Sequence, residues 1–538
     1  MHSNYSYVSG PSSKPLLGES IGQNLKRTVD QFPQRVALVS VQQKVRLTYQ
    51  ELWDKTTMVA KALLSKGLTT GDRLGVWSAN RYEWVVLQYA TSRIGVILVN
   101  LNPAYRKKEL LYTINQSEIK FLVSALKFKT SDYQQMVLKI KTKAPSLKET
   151  VFFDFDWESF VNENQHTSDQ DLAMVESKIQ FDDPINLQYT SGTTGFPKGV
   201  TLSHHNILNN GYFIGERLHY TEQDVVCIPV PFFHCFGMVI GNIAVTSHGA
   251  TIVIPSESFD ASMTLQAVEQ EKCTSLYGVP TMFIAALQLP NFESFDLTSL
   301  RTGVMAGSIC PVEIMKQVQS KMYMKEISIC YGMTETSPVS TQTTIGVSLE
   351  KQVNTVGTVQ DHLELKIIDP NTGQIVPRGV AGELCTRGYS VMLRYWGQPE
   401  ATAAVIDEAR WMHTGDLAVM DVDDFITITG RIKDIIIRGG ENISPKEIEE
   451  FLYAHENVQD VQVIGVPDPK YGEAIMAWVI PMSNSNLSET ELMQFCKDQI
   501  AHYKVPKYWK FVDSFPMTLS GKVRKIELKQ MAIEELNL

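Results

Sequence analysis

The sequence predicts an α/β protein: a large N-terminal domain of mixed sheets flanked by helices, with a β-rich subdomain, followed by a small α/β C-terminal domain. Three observations predict this. Strand-like and helix-like segments alternate from Thr48 onward, which implies parallel strands with helices packed on the sheet faces. Short strand-like runs between turn signals fill about 350–430. A fresh α/β pattern begins after GRIKD, Gly430 to Asp434, and the roughly one hundred residues beyond it are enough to fold alone.

The elements follow in chain order. After a polar leader rich in Ser, Gly and Pro, Thr48 and Glu51 form a capping-box pair, and Leu52, Val59 and Leu63 recur at helical spacing until Gly67. DRLGVWSA then reads as a strand, RYEWVVLQYATSRIG as a helix, VILVNLNP as a strand and RKKELLYTINQSE as a helix. Cys235 to Ser256 carries no formal charge and approaches the length of a membrane span. Asn242, Ser247, His248 and several glycines interrupt it, so it reads as a buried helix followed by a strand. LELKIID, GELCTRG and FITITG are short strands with Asn371-Thr372-Gly373 as a turn. Beyond GRIKD, Ser444-Pro445-Lys446-Glu447 is a helix start with a capping box and proline at the first helical position. VQDVQVIGV is a strand and SETELMQFCKDQI a helix.

Composition bounds the function. The 538 residues include 49 basic and 59 acidic side chains, a net charge of −10. That balance argues against a nucleic-acid partner, since no basic excess offsets phosphate repulsion. The seven cysteines include no CxxC pair and read as reduced intracellular thiols. The first twenty residues lack a basic region before an apolar run, so a cytoplasmic protein without a transmembrane span is expected.

The most informative stretch is TSGTTGFPKG, Thr190 to Gly199, after the apolar run INLQY. Its glycines let the backbone approach a polyanion, its hydroxyls donate to phosphate oxygens, and Lys198 adds positive charge. GxxxxGK[ST] cannot be placed on it, which excludes a Walker A loop. In the same order come PFFHCFG (Pro231 to Gly237), YGMTE (Tyr331 to Glu335), TGD (Thr414 to Asp416), GRIKD, GGENISP (Gly439 to Pro445) and PMTLSGK (Pro516 to Lys522).

With these landmarks the chain resembles the adenylate-forming, AMP-binding superfamily, which comprises acyl-CoA synthetases, peptide-synthetase adenylation domains and beetle luciferases. RLTYQEL, GDRLGVWSAN, NPAYRKKEL and RGGENISPKEIEE look most like medium-chain fatty acid CoA ligases. The resemblance implies a domain over 1–430 holding the ATP and acyl sites, a hinge at 431–433 about Lys433, and a mobile lid over 434–538. It also implies ATP as substrate, magnesium as cofactor, coenzyme A as acceptor, and a small-molecule carboxylate, and is compatible with a homodimer.

The resemblance assigns residues one by one. Thr190, Ser191, Gly192, Thr193, Thr194, Gly195 and Lys198 would hold the β and γ phosphates. Thr334 matches the α-phosphate contact and Glu335 the magnesium ligand, a hard oxygen donor for a hard cation. Tyr331 and Gly332 would lie on one side of the adenine and Ala306, Gly307 and Ser308 on the other, with Cys330 where the family often has glycine. Asp416 matches the carboxylate that accepts both ribose hydroxyls, and Arg431 adds a ribose or phosphate contact. Lys522 matches the lysine that reaches the α-phosphate and carboxylate during adenylation. His234, Val279 and Gly332 would border the acyl group. Gly439, Gly440 and Arg438 would meet coenzyme A after the lid turns, with Lys504 and Lys507 as further cations for its nucleotide end.

Alternatives stay open at this stage. They are an enzyme loading a carrier protein, an aryl-acid CoA ligase, an oxidative luciferase and a noncatalytic nucleotide- or acyl-binding protein. A peptide-synthetase adenylation module would normally continue into a carrier domain, and the luciferase reading lacks an SKL ending, replaced by Leu536-Asn537-Leu538. No aspartate stands near His234 to pair an amino acid's amino group, which favours an unsubstituted acid.

Overall fold

A computed structural model describes residues 4–190, 197–308, 310–483, 485–497, 499–518 and 521–538. The alternation beginning at Thr48 folds as expected. The Thr48 hydroxyl accepts from Glu51 N–H while the Glu51 carboxylate accepts from Thr48 N–H, starting the helix Tyr49–Ser65. Strands Arg73–Trp77 and Ile97–Asn100 then pair in parallel across the helix Tyr82–Ile94, which Gly95 ends in a left-handed conformation.

These strands belong to a seven-stranded sheet ordered Arg394–Tyr395, Lys198–Ser203, Pro184–Thr190, Ile97–Asn100, Arg73–Trp77, Phe121–Ser124, Glu149–Phe152. A nine-stranded sheet has a parallel centre that includes Val225–Cys227, Ser275–Gly278, Thr302–Ala306 and Glu326–Gly332. Helix Tyr82–Ile94 touches Ile97–Asn100 of the first sheet and Val36–Ser40 of the second, and is buried along nearly its whole length. That explains why its apolar residues are spread around the helix rather than gathered in one stripe. Each fully buried Val or Leu side chain here contributes about 1.5–3 kcal/mol of transfer free energy.

The uncharged stretch after Cys235 is a π-helix, Phe236–Ile243, followed by the short helix Ala244–Thr246 and strand Thr251–Ile254. Several of its buried polar groups bond to the helix Tyr82–Ile94. Asn242 Nδ2 donates to Gln88 Oε1 at 2.8 Å, Gln88 Nε2 donates to the Met238 carbonyl at 3.2 Å, and Tyr89 and Thr246 share a hydroxyl bond of 2.6 Å. Those pairings are what a protein core requires of polar groups. Among the described residues no helix is long and apolar enough to cross a membrane.

By internal packing the chain divides into two compact units, Met1–Val8 with Leu365–Cys385 and His413–Leu538, and Ser9–Glu364 with Thr386–Met412. The boundary expected at 430–434 falls inside the first unit. Strand Ile426–Arg431 pairs with Met412–Met420 there, and the Ser444 hydroxyl and Lys446 ammonium donate to the Thr429 and Ile428 carbonyls. The Ser444 capping box expected from the sequence does not form, because its hydroxyl is engaged by Thr429 while Glu447 pairs with Lys504; Pro445 still occupies the first helical turn. The C-terminal sheet of this unit pairs Val458–Asp468 with Gly472–Pro481 in antiparallel register, and Tyr508–Phe511 adds in parallel.

Candidate active site

In the larger unit, strands Pro184–Thr190 and Lys198–Ser203 run antiparallel with Thr190 opposite Lys198. They bracket the hydroxyl-rich loop, of which Ser191, Gly192, Thr193, Thr194 and Gly195 lie outside the described residues. Lys198 Nζ stands 4.9 Å from the centroid of the Tyr395 ring.

The adenine candidates occupy the carboxyl ends of two neighbouring parallel strands. Ala306 pairs in register with Cys330, so Gly307 and Ser308 leave one strand beside Tyr331 near the end of the other. Strand ends of this kind are where ligands enter α/β sheets. Gly307 and Ser308 are exposed and Tyr331 is half-buried. At Gly332 a Cβ would lie 1.9 Å from the Pro338 carbonyl oxygen, so no larger residue fits. Cys330 is buried, and burial raises its thiol pKa; it is a packing residue behind Tyr331.

The strand runs into a short turn, Thr334–Thr336, in which Thr334 and Glu335 are 8% and 6% exposed. The Tyr395 hydroxyl donates to Glu335 Oε1 at 2.8 Å, and Met392 N–H donates to the Glu335 carbonyl at 2.9 Å. Buried carboxylate and hydroxyl oxygens side by side are a donor set that suits magnesium.

The acyl candidates meet the same turn. Cys235 Sγ is 3.7 Å from Thr334 Oγ1 and 3.9 Å from His234 Nδ1. The Phe236 N–H donates to His234 Nδ1 at 3.2 Å, leaving that ring nitrogen an acceptor. Val279 is buried at the start of the helix Pro280–Leu287, and the Phe236 and Tyr277 rings, 5.9 Å apart, join its segment to that of His234.

The smaller unit holds the remaining candidates. Asp416, 4% exposed, lies opposite Arg431 in the strand register, and Arg431 Nε donates to Asp416 Oδ1 at 2.7 Å. Sequence reading missed what supports Asp416. Glu383 accepts Gly415 N–H at Oε1 (3.1 Å) and faces His413 Nδ1 from Oε2 (3.0 Å), while the Thr414 hydroxyl donates to the Leu384 carbonyl. Cys385 Sγ lies 3.6 Å from the same His413 nitrogen. The Cys385 sulfur and the Glu383 carboxylate push the His413 pKa up to about 10. Glu383, Cys385 and His413 also form a grouping of metal-type donors within 4.8 Å, and both oxygens of Glu383 are engaged in bracing the loop.

The Lys522 N–H donates to Thr518 Oγ1 at 3.0 Å and its carbonyl accepts from Thr518 N–H at 2.8 Å. Lys433 is exposed in the short turn Ile432–Asp434. Gly440 has φ +92°, and a Cβ there would meet nothing within 4 Å, so its surroundings are open. Gly439 N–H donates to the Tyr471 carbonyl at 2.8 Å. Arg438 donates to the Tyr503 carbonyl, Lys504 pairs with Glu447, and Lys507 pairs with Asp468 at 2.7 Å. These three cations therefore have partners within their own unit.

Residues 25–396 match the family model described as AMP-binding enzyme, and residues 447–522 match the AMP-binding enzyme C-terminal domain. The chain is an AMP-binding enzyme. Similar proteins include YngI of Bacillus subtilis (strain 168), 44% identical over 97% of this chain and 99% of that protein. Another is the mitochondrial medium-chain acyl-CoA ligase ACSF2 of Danio rerio, 42% identical over 99% of this chain and 91% of that protein. Among solved structures, ATP-bound MatB from Rhodopseudomonas palustris superposes with a TM-score of 0.86 at 27% identity, covering 96% of this chain and 99% of that one. The anthranilate CoA ligase AuaEII in complex with anthranoyl-AMP gives a TM-score of 0.88 at 25% identity, covering 98% and 99%. In this AMP-binding enzyme the two matched segments leave 397–446 between them, the interval that carries Asp416, Arg431, Lys433, Arg438, Gly439 and Gly440.

Proposed function

We propose that this AMP-forming acid-thiol ligase takes a medium-chain fatty acid, activates it as an acyl-adenylate and passes it to coenzyme A. The observation that carries this reading is the Thr334-Glu335 turn. In one unit it meets the His234 segment through Cys235 and follows the strand Glu326–Gly332 that carries Tyr331. Nucleotide and carboxylate candidates thereby converge on one turn. The ligase named medium-chain among its relatives, 42% identical, supports the choice of acid.

Joining a carboxylate to the α-phosphorus of ATP brings two anions together and releases pyrophosphate, so the site must neutralise charge as it moves. Thr334 would donate to the α-phosphate, Lys198 and the hydroxyl-rich loop would take the leaving pyrophosphate, and Lys522 would bridge the α-phosphate and the attacking carboxylate. Glu335 would hold magnesium, which when bound supplies a countercharge to the phosphates. Asp416 would fix the ribose hydroxyls, with Arg431 beside it. In the second step the coenzyme A thiolate attacks the acyl carbon and AMP leaves with the pair of electrons from the broken C–O bond. Lys433 would be the pivot that takes Lys522 away and brings Gly439 and Gly440 toward the pantetheine arm. Seven buried thiols suit a reducing compartment, the cytoplasm in this reading.

The test is pyrophosphate release with Mg-ATP across acids from acetate to palmitate plus benzoate, each with and without coenzyme A. A coenzyme A-dependent maximum at medium chain length is expected. A maximum at benzoate would move the substrate to aryl acids, and release indifferent to coenzyme A would move the acceptor to a carrier protein.

A further inference from the structure

Tyr395 belongs to none of the segments assigned to ATP, acid or coenzyme A, yet it touches two of them. It lies on the two-residue edge strand Arg394–Tyr395, opposite Val200 of the strand that begins at Lys198. The Leu393 and Trp396 N–H groups donate to the Thr201 and Gly199 carbonyls at 3.0 and 2.7 Å, and Tyr395 N–H donates to Thr402 Oγ1 at 2.9 Å. The backbone of this segment is therefore fastened to the strand leaving the hydroxyl-rich loop. On its other side Met392 N–H holds the Glu335 carbonyl. Tyr395 is 4% exposed; its hydroxyl donates to Glu335 Oε1 at 2.8 Å, and the Lys198 ammonium stands 4.9 Å from its ring centroid.

We infer that Tyr395 is a positioning residue for the metal-holding carboxylate, fixing Glu335 through one oxygen so that the other is presented to magnesium beside the ATP phosphates. The inference rests on the assignment of Glu335 as magnesium ligand. A phenol suits the task because it donates without bringing a charge, leaving the carboxylate's full negative charge for the cation. The ring edge tied to Glu335 and the ring face offered to Lys198 also couple the metal ligand to the lysine of the phosphate loop.

The test is ATP binding by titration calorimetry without any carboxylic acid, so that no turnover occurs, in the presence and absence of Mg2+. In the parent protein Mg2+ is expected to raise ATP affinity. Tyr395→Phe removes one hydroxyl that bonds a charged group, and should cut that magnesium-dependent gain by about tenfold while leaving metal-free ATP affinity unchanged. Because Tyr395 acts through Glu335, the double variant with Glu335→Gln should bind Mg-ATP no more weakly than Glu335→Gln alone. An intact gain in Tyr395→Phe, an equal loss with and without Mg2+, or additive losses in the double variant would each overturn the inference. An intact gain in Glu335→Gln would instead remove the metal assignment beneath it. If Tyr395→Phe fails to fold, 3-fluorotyrosine at 395, nearly the same shape with an altered phenol donor, must still shift the magnesium-dependent gain; an unmoved gain overturns the inference.

Discussion

Glu383 engages Gly415 N–H with one carboxylate oxygen and His413 with the other, so the loop that presents Asp416 hangs from a partly buried ion pair. Its pH dependence follows from the sign of the shift. The His413 pKa is raised to about 10 in the folded protein, above the ordinary imidazole value of about 6.5. The stabilisation is therefore full below about pH 6.5, declines above it, and is lost as pH rises through 10. Thermal unfolding from pH 6 to 10 should show His413→Gln least stable relative to the parent at pH 6, with the gap closing toward pH 10. A gap that is constant or widens with pH would contradict the pairing. The residues proposed to touch substrate were legible as candidates because they sit in contiguous motifs: Thr334 and Glu335 in YGMTE, Asp416 in TGD, Lys522 in PMTLSGK. Tyr395 and Glu383 were not, since each acts on a partner 60 and 32 residues away in the chain, and nothing local marks either one.

At the scale of elements, local signals worked where the determining interaction is itself local. The Thr48 and Glu51 box starts its helix because both bonds close within four residues. Thr48→Ala should lower stability by about 1 kcal/mol, read as a shifted denaturation midpoint with an unchanged slope; no shift would mean the helix start is held by its packing instead. Ser444 carries the same signal and behaves otherwise, because the Thr429 carbonyl, 15 residues earlier, takes its hydroxyl. The stretch after Cys235 was legible as a buried helix, but its π-helical form was not. The Asn242 amide and the Thr246 hydroxyl bond to Gln88 and Tyr89, about 150 residues away, and such pairings are invisible to any window on the sequence. Parallel pairing of Arg73–Trp77 with Ile97–Asn100 followed from the alternation, whereas the order of strands across the two large sheets depends on long-range packing.

For the molecule as a whole, the α/β class with mixed sheets was readable from the alternation, and the family from ordered motifs matched over 25–396 and 447–522. The division into packed units was not, because Ile426–Arg431 and the segment after it bond to each other across the expected boundary. Two half-reactions need two arrangements around the same acyl group, and Lys522 belongs to only one of them in this account. Single-turnover kinetics of Lys522→Ala measure that claim most directly, following acyl-adenylate formation from ATP and, separately, thioester formation from supplied acyl-adenylate and coenzyme A. The account predicts that adenylation falls by about a thousandfold or more, the scale of losing a transition-state charge contact, while thioester formation stays within a few-fold of the parent. Equal loss of both steps, or adenylation that survives, would contradict it.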